Sequence, residues 1–188
     1  MVAIAISGKM GSGKTTLTQE IISQLNEAGI EAHHVSLAGP VKEVARNYFG
    51  MPVDYKDRAL LQAIGQGFRD IRASVWIDLL VNSCQDSEAV YICDDVRFRN
   101  EVSALQTQNW TTIRLPVSES EQQRRLQQAY GEQWTQHWEN RFEASEIDLD
   151  EVDASAWDYV FEDLPLEAVP ETAQQIVSSI LNSKEVNQ

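Results

Sequence analysis

The stretch "VAIAISGKMGSGKTT" spans residues 2–16. Its first six residues are almost wholly apolar and β-branched in alternation with Ala, which predicts a buried strand ending at Gly8. Glycine-rich residues follow at once, and the stretch closes on Lys-Thr-Thr. Residues 8–15 fit G-x-x-x-x-G-K-[ST], with a strand before and a helix after. The residue types explain the pattern. Glycines let successive backbone N–H groups turn inward toward an anion, and the next helix adds its N-terminal partial positive charge. Lys14 supplies a full charge, and the Thr15 hydroxyl is a ligand for Mg²⁺. Gly8, Gly11, Ser12, Gly13, Lys14, Thr15 and Thr16 are therefore expected to hold ATP. Lys9 lies outside the pattern and is expected to face solvent.

Working outward, apolar strand-like runs at 2–7, 30–37, 89–94, 111–117 and 157–161 alternate with helical patterns. Helices are predicted over 14–29, 41–49, 100–108, 118–130 and 166–182. A longer helical run within 57–84 is expected to break near Gly65–Gly67. Ser118, with Glu121 three residues on, has the pattern of a capping box. With the phosphate loop after the first strand, strand–helix alternation predicts an α/β, three-layer P-loop fold: a five-stranded parallel sheet with helices on both faces. No repeat, linker or change of composition divides the chain. A single domain over 1–188 is expected.

Composition narrows the partners. The chain has 188 residues, 43% hydrophobic and 23% charged, and a formal net charge of −14. Such an acidic surface repels phosphate backbones and anionic lipid, which argues against nucleic acid and membrane partners. Any bound phosphate must meet a local concentration of positive charge. Cys84 and Cys93 have no metal-ligand spacing and read as core residues, which suits a reducing cytoplasm. The apolar start is short and lacks a basic region, and no segment approaches the roughly 20 apolar residues of a membrane span. A cytoplasmic protein is expected. Residues 142–183 contain no Lys or Arg and read as a solvated acidic face. Oligomeric state is open.

Phosphate binding must then be put to a use. No N-K-x-D tetrad is present, so guanine-specific switching is disfavoured. The length leaves little room for motor domains, and a small-molecule kinase is the default. "VYICDDVRFRNEVSAL", 90–105, is the second informative stretch. A buried strand ends in two carboxylates beside an arginine. A carboxylate at such a strand end is placed to hold Mg²⁺ through water, and an arginine there grips phosphate. Asp95 is the expected Mg²⁺ residue and Asp94 the second choice. A helix-capping role is open for either.

"DVRFRNEVSAL" resembles the D-V-R-F-P-N-E signature of the phage-type deoxynucleoside monophosphate kinases, within the P-loop nucleoside monophosphate kinase group. "SLAGPVKEVAR" (36–46), "LLQAIGQGFRDIRASVWIDLL" (60–80) and "EASEIDLDEV" (143–152) resemble further segments of that family, in order. The sequence departs from the pattern in Arg99, where proline is usual, in Glu143, where histidine is common, and in the spacing of Arg69 from Gly65. The resemblance implies transfer of the ATP γ-phosphoryl group to a (deoxy)nucleoside monophosphate, with Mg²⁺ as cofactor. It implies a P-loop kinase fold with a small helical lid within 118–142, and catalytic roles for Lys14, Arg97, Arg124 and Arg125, the last two as lid arginines, with Arg141 a further candidate. It implies acceptor contacts from Gln62, Arg69, Trp76, Asp95, Arg97 and Glu146, and a metal role for Thr15 and Asp95. Core packing accounts equally for Trp76 and for the Trp134/Trp138 pair, a turn cap for Glu146, and a structural role for His33 and His34. Other readings stay open: a phosphomevalonate kinase-like enzyme, whose segments "AGPVKE" and "EASEIDLD" also resemble, a kinase of dephospho-coenzyme A or shikimate, and a nucleotide sensor without turnover.

Overall fold

In the computed structural model, residues 2–186 are described, so the expected domain limits at 1 and 188 fall outside them. Five parallel strands, β1 (Val2–Gly8), β2 (Ala32–Val35), β3 (Val90–Val96), β4 (Thr111–Leu115) and β5 (Tyr159–Val160), form one sheet in the order β2-β3-β1-β4-β5. Strand alternation sends Ile4 and Ile6 to one face, with Val90, Ile92, Ile113 and Leu115. There they meet α1 (Lys14–Glu27) and α9 (Val169–Val186) through Leu17, Ile21, Leu25, Ala173, Ile176 and Ile180. Ala3, Ala5, Tyr91 and Cys93 face the other way. They pack against α2 (Ala38–Phe49), α3 (Arg58–Ile71), α4 (Val75–Ser83) and α5 (Arg99–Thr107). The expected three-layer α/β architecture is what forms.

The long helical run breaks elsewhere than expected. α3 runs unbroken through Gly65 and Gly67 and stops at Arg72, after which Ser74 precedes α4. Two glycines weaken a helix, but the face carrying Ile64 and Gly65 is buried, and packing outweighs that cost. α4 is tied to α3 here: the Trp76 indole N–H donates to the Gly65 carbonyl oxygen at 3.0 Å. Both cysteines are free and buried.

The segment after β4 is helical: α6 (Glu119–Tyr130), α7 (Trp134–Glu139) and α8 (Ala144–Ile147), with single 3₁₀ turns between them. Only half of the expected capping box forms. Ser118 Oγ accepts from the Glu121 N–H at 3.4 Å, but the Ser118 N–H donates to Asp163 and the Glu121 carboxylate turns to Arg124 and Arg125.

At the site end of the sheet, β1 and β3 lose simple register. Ala5 faces Cys93, yet Ser7 faces Val96, so Ile6 opposes the pair Asp94 and Asp95. Such a bulge re-aims side chains at a strand end.

Candidate active site

Gly8 to Thr15 form a tight loop between β1 and α1. A Cβ on Gly8 would lie 2.3 Å from Ser12 Oγ and 2.7 Å from the Leu115 carbonyl oxygen, so only glycine lets the loop close against β4. Gly11 and Gly13 have φ of 78° and 94°, the left-handed region that favours glycine. Lys14 curls back over this loop, and its Nζ donates to the carbonyl oxygens of Gly8 and Lys9 at 2.7 and 2.8 Å. Burial and then the nearby Arg97 guanidinium lower its pKa to about 8. Lys9 stays partly exposed, and its ammonium pairs with Asp150 at 2.6 Å.

The bulge in β3 decides which aspartate meets the loop, and it is not the one expected. Asp94 Oδ2 accepts from Thr15 Oγ1 at 3.2 Å, while Asp94 Oδ1 lies 2.7 Å from His34 Nε2. Asp95 points to α2. It accepts from Ser36 Oγ at 2.7 Å and from the N–H groups of Leu37 and Ala38 at 2.9 Å each. Those are donors at a helix start that has no intrahelical partners for them. Asp95 therefore holds α2 in place, although it also lines the cavity described next. A hard hydroxyl oxygen and a hard carboxylate oxygen side by side suit Mg²⁺, which keeps several waters and takes one or two protein ligands. Thr15 and Asp94 are the pair that fits. No cluster of three or more His, Cys, Asp or Glu fit to hold a metal occurs among the described residues.

Beside the loop lies a cavity of about 530 Å³ between α2, α3 and the start of α8. Gln62, Arg69, Asp95 and Arg97 line it, as does Phe98. Arg69 donates to Glu101 at 3.0 Å, and its guanidinium lies 4.9 Å from the Phe98 ring centroid. Glu101 is 2% exposed and also accepts the N–H groups of Arg97 and Phe98, at 2.9 and 3.1 Å. It fixes the turn that aims Arg97, and burial pushes its pKa up. Arg97 Nη1 donates to Glu146.

Three of the candidate site residues do not line this cavity. Trp76 is 2% exposed, belongs to the core and does not line this cavity. Glu146 is buried and meets Arg97 and the loop instead of the cavity. Arg124 is exposed and paired with Glu121, away from the loop. Arg125 does reach the loop, donating to Gly11 O at 3.3 Å and to Leu164 O at 2.9 Å. Arg141 stacks on Trp138 and Phe142, with its Cζ 4.5 and 4.0 Å from their ring centroids. Trp134 and Trp138 pack together, centroids 6.3 Å apart. Sequence reasoning missed Glu101 and His34. For Glu101 the signal was present, an acid three residues into a helix following an arginine-bearing turn. For His34 there was none, because only the sheet order brings β2 beside β3.

No protein-family model and no curated protein matches this chain. Solved structures do. A shikimate kinase from Acinetobacter baumannii, solved with shikimate, matches with a TM-score of 0.59 at 18% identity, covering 98% of this chain and 95% of its own. A shikimate kinase from Bacteroides thetaiotaomicron gives 0.56 at 19%, covering 96% and 98%. A gluconokinase from Sinorhizobium meliloti 1021 gives 0.57 at 12%, covering 100% and 97%. The chain has the fold shared by these small-molecule kinases. Among the described residues, no helix is long and apolar enough to cross a membrane.

Proposed function

We propose that this protein is an ATP-dependent kinase whose acceptor is itself a phosphate, a (deoxy)nucleoside monophosphate. One observation carries the reading: Arg69 and Arg97 converge on a single cavity next to the loop that bears Lys14. Two polyanions must be brought in line for phosphoryl transfer, so cations are needed on both sides. Lys14 and the loop amides take the ATP phosphates, with Arg125 beside the loop. Thr15 and Asp94 would hold Mg²⁺, which would supply neutralisation of the charge that builds up on the transferring phosphoryl group. Arg97 and Arg69 grip the acceptor phosphate, and Gln62 meets its nucleoside. No general base is required, because an ionised phosphate oxygen is already a nucleophile and catalysis is largely positioning. Segment 118–142 acts as a lid that excludes water.

A second reading has an observation of its own. Each cavity arginine is already paired with a buried carboxylate, Glu101 or Glu146, which leaves less net positive charge for a dianion. The structural neighbours named for shikimate and gluconate fit an acceptor hydroxyl on a small acid. ADP release from Mg·ATP, measured with nucleoside and deoxynucleoside monophosphates, phosphomevalonate, shikimate and gluconate, separates the two. Lys14→Ala is the blank. Turnover of a nucleoside monophosphate alone is the expected result. Turnover of a hydroxy acid alone overturns the reading, and ADP release from no acceptor leaves a nucleotide sensor.

A further inference from the structure

Residues 146–151 lie as an acidic strap across the basic end of the site. Asp148 accepts from the Arg99 N–H at 2.7 Å, Glu151 pairs with Arg99, and Asp150 pairs with Lys9 and Arg114. Within the strap, Glu146 differs from its neighbours. It is 6% exposed, whereas Asp148, Asp150 and Glu151 stand in contact with solvent. Its two oxygens go to different halves of the site. Oε2 accepts from the Met10 N–H of the phosphate loop at 2.8 Å, and Oε1 accepts from Arg97 Nη1. The backbone is held too, since the Glu146 N–H donates to Glu143 O at 2.8 Å.

A buried carboxylate is costly unless its lone pairs are satisfied, and here one cation and one amide satisfy them. The consequence is geometric. Lys14 and Arg97 repel one another, and Glu146 attracts both. Without it, the guanidinium loses the partner that holds it beside the loop, and the loop amide loses its acceptor. Building on the kinase reading above, we infer that Glu146 is a positioning residue that ties the donor loop to the acceptor arginine, so that the two phosphates meet at a fixed spacing. It touches neither substrate. Its work is done through Arg97 and Met10. Misplacement by about 1 Å costs on the order of 100-fold in rate.

The test compares the full chain with Glu146→Gln, Arg97→Gln and the double variant. Kinetics use whichever acceptor of the panel the wild type turns over. Glu146→Gln is expected to lower kcat by about 100-fold, with the KM for ATP close to wild type and the acceptor KM raised only by the looser grip of a displaced Arg97. The double variant should be no slower than Arg97→Gln, because the two act as one unit. A rise in acceptor KM at unchanged kcat would make Glu146 a substrate contact and overturn the inference. Multiplicative losses in the double variant would overturn it too. A substrate-free measurement accompanies this. In NMR spectra of Glu146→Gln, the Arg97 guanidinium and Met10 amide signals should shift together, while those of Arg69, held by Glu101, stay in place. If Arg97 and Met10 do not move, the tie does not exist. If Arg69 moves as well, the effect is general unfolding and the inference fails. Turnover of a hydroxy acid in place of a nucleotide refutes the acceptor assignment but leaves both comparisons decisive for Glu146.

Discussion

At the scale of single residues, two adjacent aspartates with the same chemistry have been given different work by a bulge in one strand. Asp94 faces Thr15 and Asp95 faces the start of α2. Asp94→Asn should raise the Mg²⁺ concentration needed for activity, which Asp95→Asn should leave near wild type. Asp95→Asn should cost about 1–3 kcal/mol of stability, the usual loss when buried donors lose their acceptor. Thermal unfolding and Mg²⁺ titration of both variants check this, and the opposite pattern would return the metal role to Asp95. Lys14 gives a pH prediction. Its ammonium titrates near 8 in the folded chain against 10.5 ordinarily. Between these values the unfolded chain binds the extra proton, so this group's contribution to stability rises with pH there. A bound polyphosphate reverses the shift. Calorimetry of Mg-free ADP binding in buffers of different ionisation enthalpy should therefore show proton uptake, approaching about one proton near pH 9 and vanishing near pH 6. Lys14→Met should abolish it.

At the scale of elements, the phosphate loop was legible because its physics is local: a strand, glycines for positive φ, and a lysine entering a helix. Gly8→Ala would press a methyl into Ser12 and Leu115. It should abolish ADP binding, measured by calorimetry, even where the chain still folds. The rest of the site was less legible, because its geometry depends on contacts between segments distant in sequence. Nothing in "CDDVR" tells which aspartate the bulge aims at the loop. Trp76 sits in a segment that resembles an acceptor-binding one, yet the apolar stripe on its own helix carries it into the core. Trp76→Ala should accordingly cost about 3–5 kcal/mol of stability. In a urea titration at low temperature the folded fraction should keep its acceptor KM. A raised KM with little loss of stability would restore the pocket role. Arg99 uses its backbone N–H to reach Asp148, a bond that the proline of the signature it resembles could not make.

At the scale of the whole molecule, the parallel sheet follows from strand–helix alternation, whereas its strand order emerges only in the structure, and both faces of the sheet are covered as the near-continuous apolar strands require. What composition concealed was how the net charge of −14 is distributed. The basic-free run 142–183 reads as a uniform acidic surface. The fold instead lays part of it across Lys9, Arg97, Arg99 and Arg114, so some of those acids are counter-ions of the site. Only tertiary structure sorts buried Glu146 from solvated neighbours of the same type. In the proposed reaction, phosphoryl is passed from one phosphate to another. Phosphorus NMR of Mg·ATP incubated with the protein and a nucleoside monophosphate tests it most directly. The account predicts that the γ-phosphate signal of ATP declines as the two signals of a new nucleoside diphosphate anhydride grow, and that Lys14→Ala prevents both. Growth of a phosphate monoester with a hydroxy acid in the tube, and no anhydride with any nucleotide, would contradict it.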